Sequence, residues 1–113
     1  MKQGDIFWIS FPAGAGRAQA GRRPAILLQN DEASHQVPTV LVVPLTTQRE
    51  ALRFPGTMLI DPDFSNKLQQ PSVALVFQLT SIDQQFLGAR IGVVSDNVLT
   101  ALKSTLDEIT EVT

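Results

Sequence analysis

Residues 39–47 read Thr-Val-Leu-Val-Val-Pro-Leu-Thr-Thr, an almost unbroken apolar run that ends in two threonines. Such a run is typical of a strand buried on both faces, so we expect residues 39–45 to form a central strand of a sheet. A second stretch, residues 19–28, reads Gln-Ala-Gly-Arg-Arg-Pro-Ala-Ile-Leu-Leu. It joins a polar tip to a strand predicted over residues 24–29, so both stretches place polar side chains at the end of a buried strand.

Short strands are predicted along most of the chain. The first covers residues 5–11, where Phe7, Ile9 and Phe11 share one face by the two-residue period of a strand. Residues 12–21 are rich in Gly and Ala without periodicity, which predicts a mobile loop. Further strands are predicted over residues 56–60, 72–77 and 89–94, and a short helical turn is predicted to begin at Asp83.

The C-terminal segment is predicted to be a helix that begins at Ser95 or Asp96, both of which are good N-caps. Its apolar side chains recur at helical spacing and form one stripe: Val98, Leu99, Leu102, Leu106 and Ile109. Several short strands followed by one helix indicate a mainly β protein, a small and strongly curved antiparallel sheet or barrel with the helix packed on it. At 113 residues, the chain is predicted to be a single domain over residues 1–113.

Composition excludes several classes of protein. The sequence contains no cysteine, which removes disulfides, thiolate catalysis and zinc–thiolate sites. No apolar stretch approaches the roughly 20 residues that cross a bilayer, and the N-terminus lacks the apolar region of a signal peptide. We therefore expect a cytoplasmic protein that does not act in a membrane.

The positive charge is concentrated although the net charge is −2. Arg17, Arg22 and Arg23 fall in one loop region, and Arg49 and Arg53 follow the two threonines of the central strand. A basic surface confined to two loops suits a short stretch of nucleic acid, whereas the bland alternative is a few solvated arginines on an acidic protein.

The chain contains few residues of the types that usually catalyse reactions. His35 is the one histidine, so a histidine pair for acid and base chemistry is impossible within a chain, and we expect His35 to be an exposed loop residue. Asp61 and Asp63 offer a conceivable magnesium site, but Asp-Pro-Asp is more often a turn. No metal or cofactor is therefore assigned to the chain.

Arginine and threonine suit a reaction in which the substrate supplies the nucleophile. A guanidinium presents a rigid fork of donors to phosphate oxygens, and a hydroxyl both donates and accepts. RNA carries its own nucleophile, the 2′-OH, and cleavage by that group requires in-line geometry and stabilised negative charge. Arg23 is the candidate for charge stabilisation, and Thr46 is the candidate for orienting the phosphate or the 2′-OH.

Four blocks of sequence, in order, resemble the MazF/PemK/Kid toxins of bacterial toxin–antitoxin systems. They are residues 4–9, 19–28, 43–47 and 78–83, and the resemblance extends from Gly4 to about Ile109. It implies an SH3-like barrel, related to that of CcdB, with a C-terminal helix and a homodimeric assembly. It also implies a metal-independent, sequence-specific endoribonuclease that cuts single-stranded RNA to 2′,3′-cyclic phosphate and 5′-OH ends. A cognate, MazE-like antitoxin would block the site with an extended tail.

The resemblance also implies roles for individual residues. Arg23 stands at the position of the catalytic arginine, and Thr46 stands at that of the hydroxyl residue that works with it. Gln78 matches a glutamine near the RNA groove, Trp8 matches a structural aromatic, and residues 12–21 correspond to a mobile loop over the RNA. The candidate RNA-binding residues are Arg17, Gln19, Arg22, Thr47 and Gln78.

One position departs from the family pattern. Several members carry Asp directly before the glutamine, proposed as a general base in the Kid branch, and this chain has Phe77 there; Leu75 replaces a nearby Arg. Either Arg23 and Thr46 suffice, or another group such as Asp31 or Glu50 accepts the proton, or the activity is weak. The alternative function is a non-catalytic RNA- or protein-binding member of the fold. A gyrase poison is disfavoured because the chain lacks the Trp-Gly-Ile ending of that class.

Overall fold

The computed structural model describes residues 1–11 and 21–110. Strands in this part of the chain are β1 (Asp5–Phe11), β2 (Gly21–Leu27), β3 (Thr39–Thr46), β4 (Thr57–Ile60), β5 (Ser72–Leu75), β6 (Thr80–Asp83) and β7 (Leu87–Val93). The helices are the one-turn α1 (Asp31–Ser34) and the long C-terminal α2 (Asp96–Thr110). Short 3-10 helices cover Arg49–Arg53, Val76–Gln78 and Gln84–Phe86.

Strand β3 is central, as its apolar run predicts. The sheet is antiparallel with the order β4-β5-β3-β2-β1-β7, and β6 pairs with β3 outside this path. One edge of β3 pairs with β2, while its other edge pairs first with β6 over residues 39–42 and then with β5 at Leu45 and Thr46. This division brings the end of β3 between β2 and β5.

The core lies on both sides of the central strands. Ile26 and Val43 belong to one buried cluster, and their neighbours Leu27 and Val42 belong to the other, because successive strand residues point to opposite faces. Helix α2 closes the first cluster with the fully buried Leu102. The predicted mainly β fold with a packed C-terminal helix is therefore confirmed.

Several boundaries differ from the sequence prediction. Strand β2 begins at Gly21 rather than Pro24, because its polar tip continues the ladder with β1 as far as the Phe11–Gly21 pair. The strand predicted over residues 72–77 ends at Leu75 and turns into a 3-10 helix. Strand β6 was not predicted, since it has four residues of which Ile82 alone is buried.

The predicted helix starts are confirmed by their hydrogen bonds. Asp83 accepts from the backbone N–H of Gln85 at 2.9 Å and begins the 3-10 helix Gln84–Phe86. Ser95 rather than Asp96 caps α2, since its Oγ accepts from the backbone N–H of Val98 at 3.2 Å. Within the described residues, none of the helices has the length and apolar character needed to cross a membrane.

Candidate active site

Arg23 and Thr46 lie at the same cleft, where β2 begins and β3 ends. The register pairs Ala25 with Pro44, and continuing it by two residues aligns Arg23 with Thr46. The cleft has a volume of about 240 Å³, and we call it the strand-end cleft. Its lining residues are Arg23, Pro24, Leu45, Thr46, Thr47, Gln48 and Ser72.

The Arg23 guanidinium is held partly out of water. Its Nη1 atom is buried and has no hydrogen-bond partner among residues 1–11 and 21–110. Burial lowers the pKa of Arg23 from its ordinary value, because desolvation disfavours the charged form. A buried N–H donor without a partner costs free energy. An anion that accepts a hydrogen bond from it therefore gains more binding free energy than it would from a fully solvated arginine.

The Thr46 hydroxyl is oriented by the turn that follows it. Its Oγ1 accepts from the backbone N–H of Gln48 at 3.3 Å. This contact uses one acceptor site of the hydroxyl and leaves its hydrogen able to donate. Thr46 is also paired with Val73, so strand β5 fixes its backbone.

A second cleft of about 190 Å³ continues from the same two residues, and we call it the aromatic cleft. It brings Gln78, predicted to contact RNA, to Arg23 and Thr46. Gln78 is the last residue of the 3-10 helix that follows β5. The full lining consists of Arg23, Thr46, Gln48, Ala51, Phe54, Leu75, Phe77 and Gln78.

Arg22 and Trp8 lie together beside these clefts. The Arg22 guanidinium carbon is 4.4 Å from the centre of the Trp8 ring, a cation–π geometry. Trp8 and Thr47 line a third cleft of about 300 Å³, along with Lys67, Gln69 and Gln70. Arg17 and Gln19, also predicted to bind RNA, lie outside the described residues.

Sequence reasoning missed Gln48, Ser72 and Phe54 as lining residues. Gln48 directly follows the two threonines, so its position was a usable signal. Ser72 and Phe54 reach the clefts through the β3–β5 pairing and the 3-10 helix Arg49–Arg53, and no local sequence pattern marks them.

The groups considered for proton transfer are occupied elsewhere or exposed. Asp31 accepts from the backbone N–H of Gln3 at 2.9 Å, while His35 and Glu50 are exposed. None of the three is among the described residues that line the clefts at Arg23. Among the described residues that line the strand-end cleft and the aromatic cleft, Arg23 has the one ionisable side chain.

Asp61 and Asp63 form a turn. The Asp63 carboxylate accepts from the backbone N–H groups of Ser65 and Asn66 at 2.9 and 2.7 Å, and the Asp61 carbonyl accepts from the Asn66 side chain. Across residues 1–11 and 21–110, no three His, Cys, Asp or Glu side chains cluster in a way that could hold a metal ion.

Comparison with protein families gives a match over nearly the whole chain. The sequence model of the PemK-like, MazF-like toxins of type II toxin–antitoxin systems matches residues 2–110. The chain is 27% identical over 107 residues to Endoribonuclease MazF of Staphylococcus saprophyticus, covering 95% of the chain and 88% of that protein. It is 29% identical over 99 residues to Endoribonuclease EndoA of Bacillus subtilis, covering 88% and 84%.

Solved structures share the fold. MazF from Deinococcus radiodurans superposes with a TM-score of 0.80 at 22% identity, covering 96% of this chain and 94% of that chain. An endoribonuclease in complex with its cognate antitoxin from a mycobacterial species superposes with a TM-score of 0.76 at 18% identity, covering 96% and 92%. At this level of identity the likeness establishes the architecture.

Proposed function

Since this chain belongs to the PemK-like, MazF-like toxins of type II toxin–antitoxin systems, we propose that it is an endoribonuclease that cleaves single-stranded RNA without a metal ion. The observation that carries the proposal is the partly buried guanidinium of Arg23, whose Nη1 has no hydrogen-bond partner among the described residues, at the cleft that it shares with Thr46. The two curated relatives are both named endoribonucleases, which supports the same reaction.

The reaction requires little from the protein beyond charge and orientation. The 2′-oxygen of the RNA attacks the adjacent phosphorus, the bond from phosphorus to the 5′-oxygen breaks, and a 2′,3′-cyclic phosphate and a 5′-OH result. The 2′-OH loses one proton and the leaving 5′-oxygen gains one, both exchanged with water. Arg23 offers N–H donors to the phosphate oxygens as negative charge develops on them, and its buried Nη1 is one of these donors.

Thr46 orients the reacting groups. Its hydroxyl is fixed by Gln48 on its acceptor side, so its hydrogen is available to one phosphate oxygen or to the 2′-oxygen. Holding the 2′-oxygen in line with the leaving oxygen lowers the entropic part of the barrier. Gln78 and Thr47 extend the polar lining and contact the flanking nucleotides.

We further propose that the toxin is a homodimer and that a cognate antitoxin blocks its cleft. The mycobacterial endoribonuclease in complex with its cognate antitoxin, which has the same fold, supports the partnership with an antitoxin. An acidic, extended antitoxin segment would meet Arg22, Arg23 and the Trp8 ring along one surface. Copurification of this toxin with the product of a neighbouring small gene, with loss of cleavage in the complex, tests the partnership.

The test of the function is incubation of the purified protein with a long single-stranded RNA in EDTA. The proposal predicts discrete cuts whose 5′ fragments end in a 2′,3′-cyclic phosphate and whose 3′ fragments begin with a 5′-OH. Cleavage that requires added Mg²⁺, or 3′-OH ends, would contradict the proposed mechanism.

A second candidate function is RNA binding without cleavage, and Phe77 favours it. A phenyl ring cannot accept a proton, and the described residues that line the clefts at Arg23 include no carboxylate. RNA that is bound tightly but left intact by the folded protein would establish this second function.

A further inference from the structure

Two half-exposed phenylalanines border the site without any role in the reaction proposed above. Phe54 and Phe77 are 45% and 44% exposed, and their ring centres are 6.0 Å apart with an angle of 51° between the planes. Both line the aromatic cleft together with Arg23, Thr46 and Gln78. Exposed aromatic rings next to polar, cationic groups are the usual surface for an unstacked nucleobase.

Hydrogen bonds fix the backbone at both phenylalanines. The Phe77 N–H donates to the Gly56 carbonyl at 3.1 Å, and the Phe54 carbonyl accepts from the Thr57 hydroxyl at 2.8 Å. Gly56 has φ +75°, and a Cβ there would lie 3.1 Å from the Phe77 Cβ. The close approach of Phe77 to this turn therefore depends on glycine, so the aromatic pair is held by a conformation that other residues adopt only with strain.

The charge around the pair suits a nucleic acid. The Arg53 guanidinium carbon lies 4.9 Å from the centre of the Phe54 ring, so a cation already stacks beside the pair. Arg23 lies in the same cleft. Cations beside exposed rings favour a base on a phosphate backbone over an apolar protein segment as the occupant.

We propose that Phe54 and Phe77 form a stacking platform for one unpaired base of the RNA strand whose phosphate is held by Arg23. This inference rests on the proposed function and adds a positioning role to it. Stacking tolerates any base, so the platform contributes affinity and orientation rather than sequence preference. Its loss raises KM more than it lowers kcat.

The experiment uses a short RNA that spans a mapped cut and carries a single 2′-deoxy nucleotide on the 5′ side of that cut. This RNA lacks the nucleophile, so binding is measured without cleavage. Phe77→Ala and Phe77→Leu are expected to bind about tenfold more weakly, whereas Phe77→Trp keeps a ring and binds like the wild type. Phe64→Ala is the matched control, because Phe64 is 94% exposed and lies outside the lining of the clefts.

A second arm changes the RNA instead of the protein. Each nucleotide next to the cut is replaced in turn by an abasic residue, which keeps the phosphate and removes the base. At one position, removing the base should weaken binding to the wild type about tenfold. The same change should leave binding to Phe77→Ala unaltered, because that variant has already lost the stacking contact. This coupling cannot arise from a folding defect of the variant.

The outcomes separate the two proposals. If the wild type cuts RNA but Phe77→Leu binds as the wild type does and no abasic position couples to Phe77, the platform is wrong and the function stands. If Phe77→Ala changes the oligomeric state by sedimentation without such coupling, the pair is a contact between copies and the platform is also wrong. If the wild type cuts no RNA, the proposed function fails and the platform fails with it.

Discussion

Arg23 and Thr46 line the same two clefts, one from near the start of β2 and the other from the last position of β3. They lie 23 positions apart in sequence, and the antiparallel pairing of their strands brings them together. Side chains placed on paired strands are held more rigidly than side chains on loops, which is what in-line attack at a phosphate requires.

Substitutions of Thr46 test whether cleavage depends on its hydroxyl or on the shape of its side chain. Thr46→Val keeps the branched side chain that suits a strand but removes the hydrogen bond to the phosphate or 2′-oxygen. We expect the single-turnover cleavage rate to fall about ten- to hundredfold. This corresponds to the loss of about 1.5–3 kcal/mol, the contribution of a hydrogen bond to a charged group. Thr46→Ser should retain most of the rate, and Thr100→Val on the exposed face of α2 should retain all of it. Equal rates for Thr46→Val and the wild type would refute a role for the hydroxyl.

The burial of Arg23 should cost stability. Arg23→Met keeps the length of the side chain and removes both the partly buried charge and the Nη1 donor that has no partner among the described residues. We expect the free energy of unfolding in urea to rise by about 1 kcal/mol at neutral pH while cleavage is lost. Arg49→Met, at an exposed position, should change stability by no more than about 0.5 kcal/mol.

The pH dependence of this stability difference follows from the direction in which folding shifts the pKa of Arg23. Burial lowers the pKa of Arg23 in the folded state, so the penalty is present in full wherever the guanidinium is charged. It is relieved only where the guanidinium loses its proton, and an arginine side chain stays charged across neutral pH. The stability gap between Arg23→Met and the wild type should therefore be constant across neutral pH, and a gap that varies between pH 6 and 8 would contradict this account.

Arg22 should contribute to RNA affinity through charge. Its guanidinium is exposed and stacked on Trp8, which leaves its N–H donors accessible to a phosphate. For single strands, each neutralised phosphate contributes about 0.7 to the slope of log affinity against log salt. Arg22→Gln should reduce that slope by about this amount when binding of the 2′-deoxy RNA is measured across salt concentrations. Lys103→Gln on α2 should leave the slope unchanged, and an unchanged slope in Arg22→Gln would remove Arg22 from the RNA-binding residues.

Strongly patterned elements of the fold were predictable from sequence. The alternation of β1, the continuous apolar run of β3 and the helical stripe of α2 each predict buried side chains. The structure buries or half-buries most of them, whereas Leu41 of β3 and Ile109 of α2 are 38% and 37% exposed. Strand β6 escaped prediction because its pairing with β3, rather than its own side chains, makes it a strand. Local sequence carries no signal for such a partner.

The candidate site was predictable in part for a similar reason. Chemical type and the resemblance to a family pointed to Arg23, Thr46 and Gln78, and the fold brings these three to one cleft, the aromatic cleft. Ser72 and Phe54 enter the lining through long-range pairing and a 3-10 turn. The platform role of Phe77 follows from the distance between two rings, which a sequence does not contain.

The most direct test of the central claim is the single-turnover rate at which Arg23→Ala cleaves RNA in EDTA, measured beside the wild type and Lys103→Ala. Because one charge-stabilising donor is lost, we expect the rate to be 10²–10³ times lower, which corresponds to about 3–4 kcal/mol of transition-state stabilisation. The circular dichroism spectrum should be unchanged. Lys103→Ala, at an exposed position on α2, should cleave at the wild-type rate. Wild-type cleavage by folded Arg23→Ala would show that the chemistry lies elsewhere on the protein.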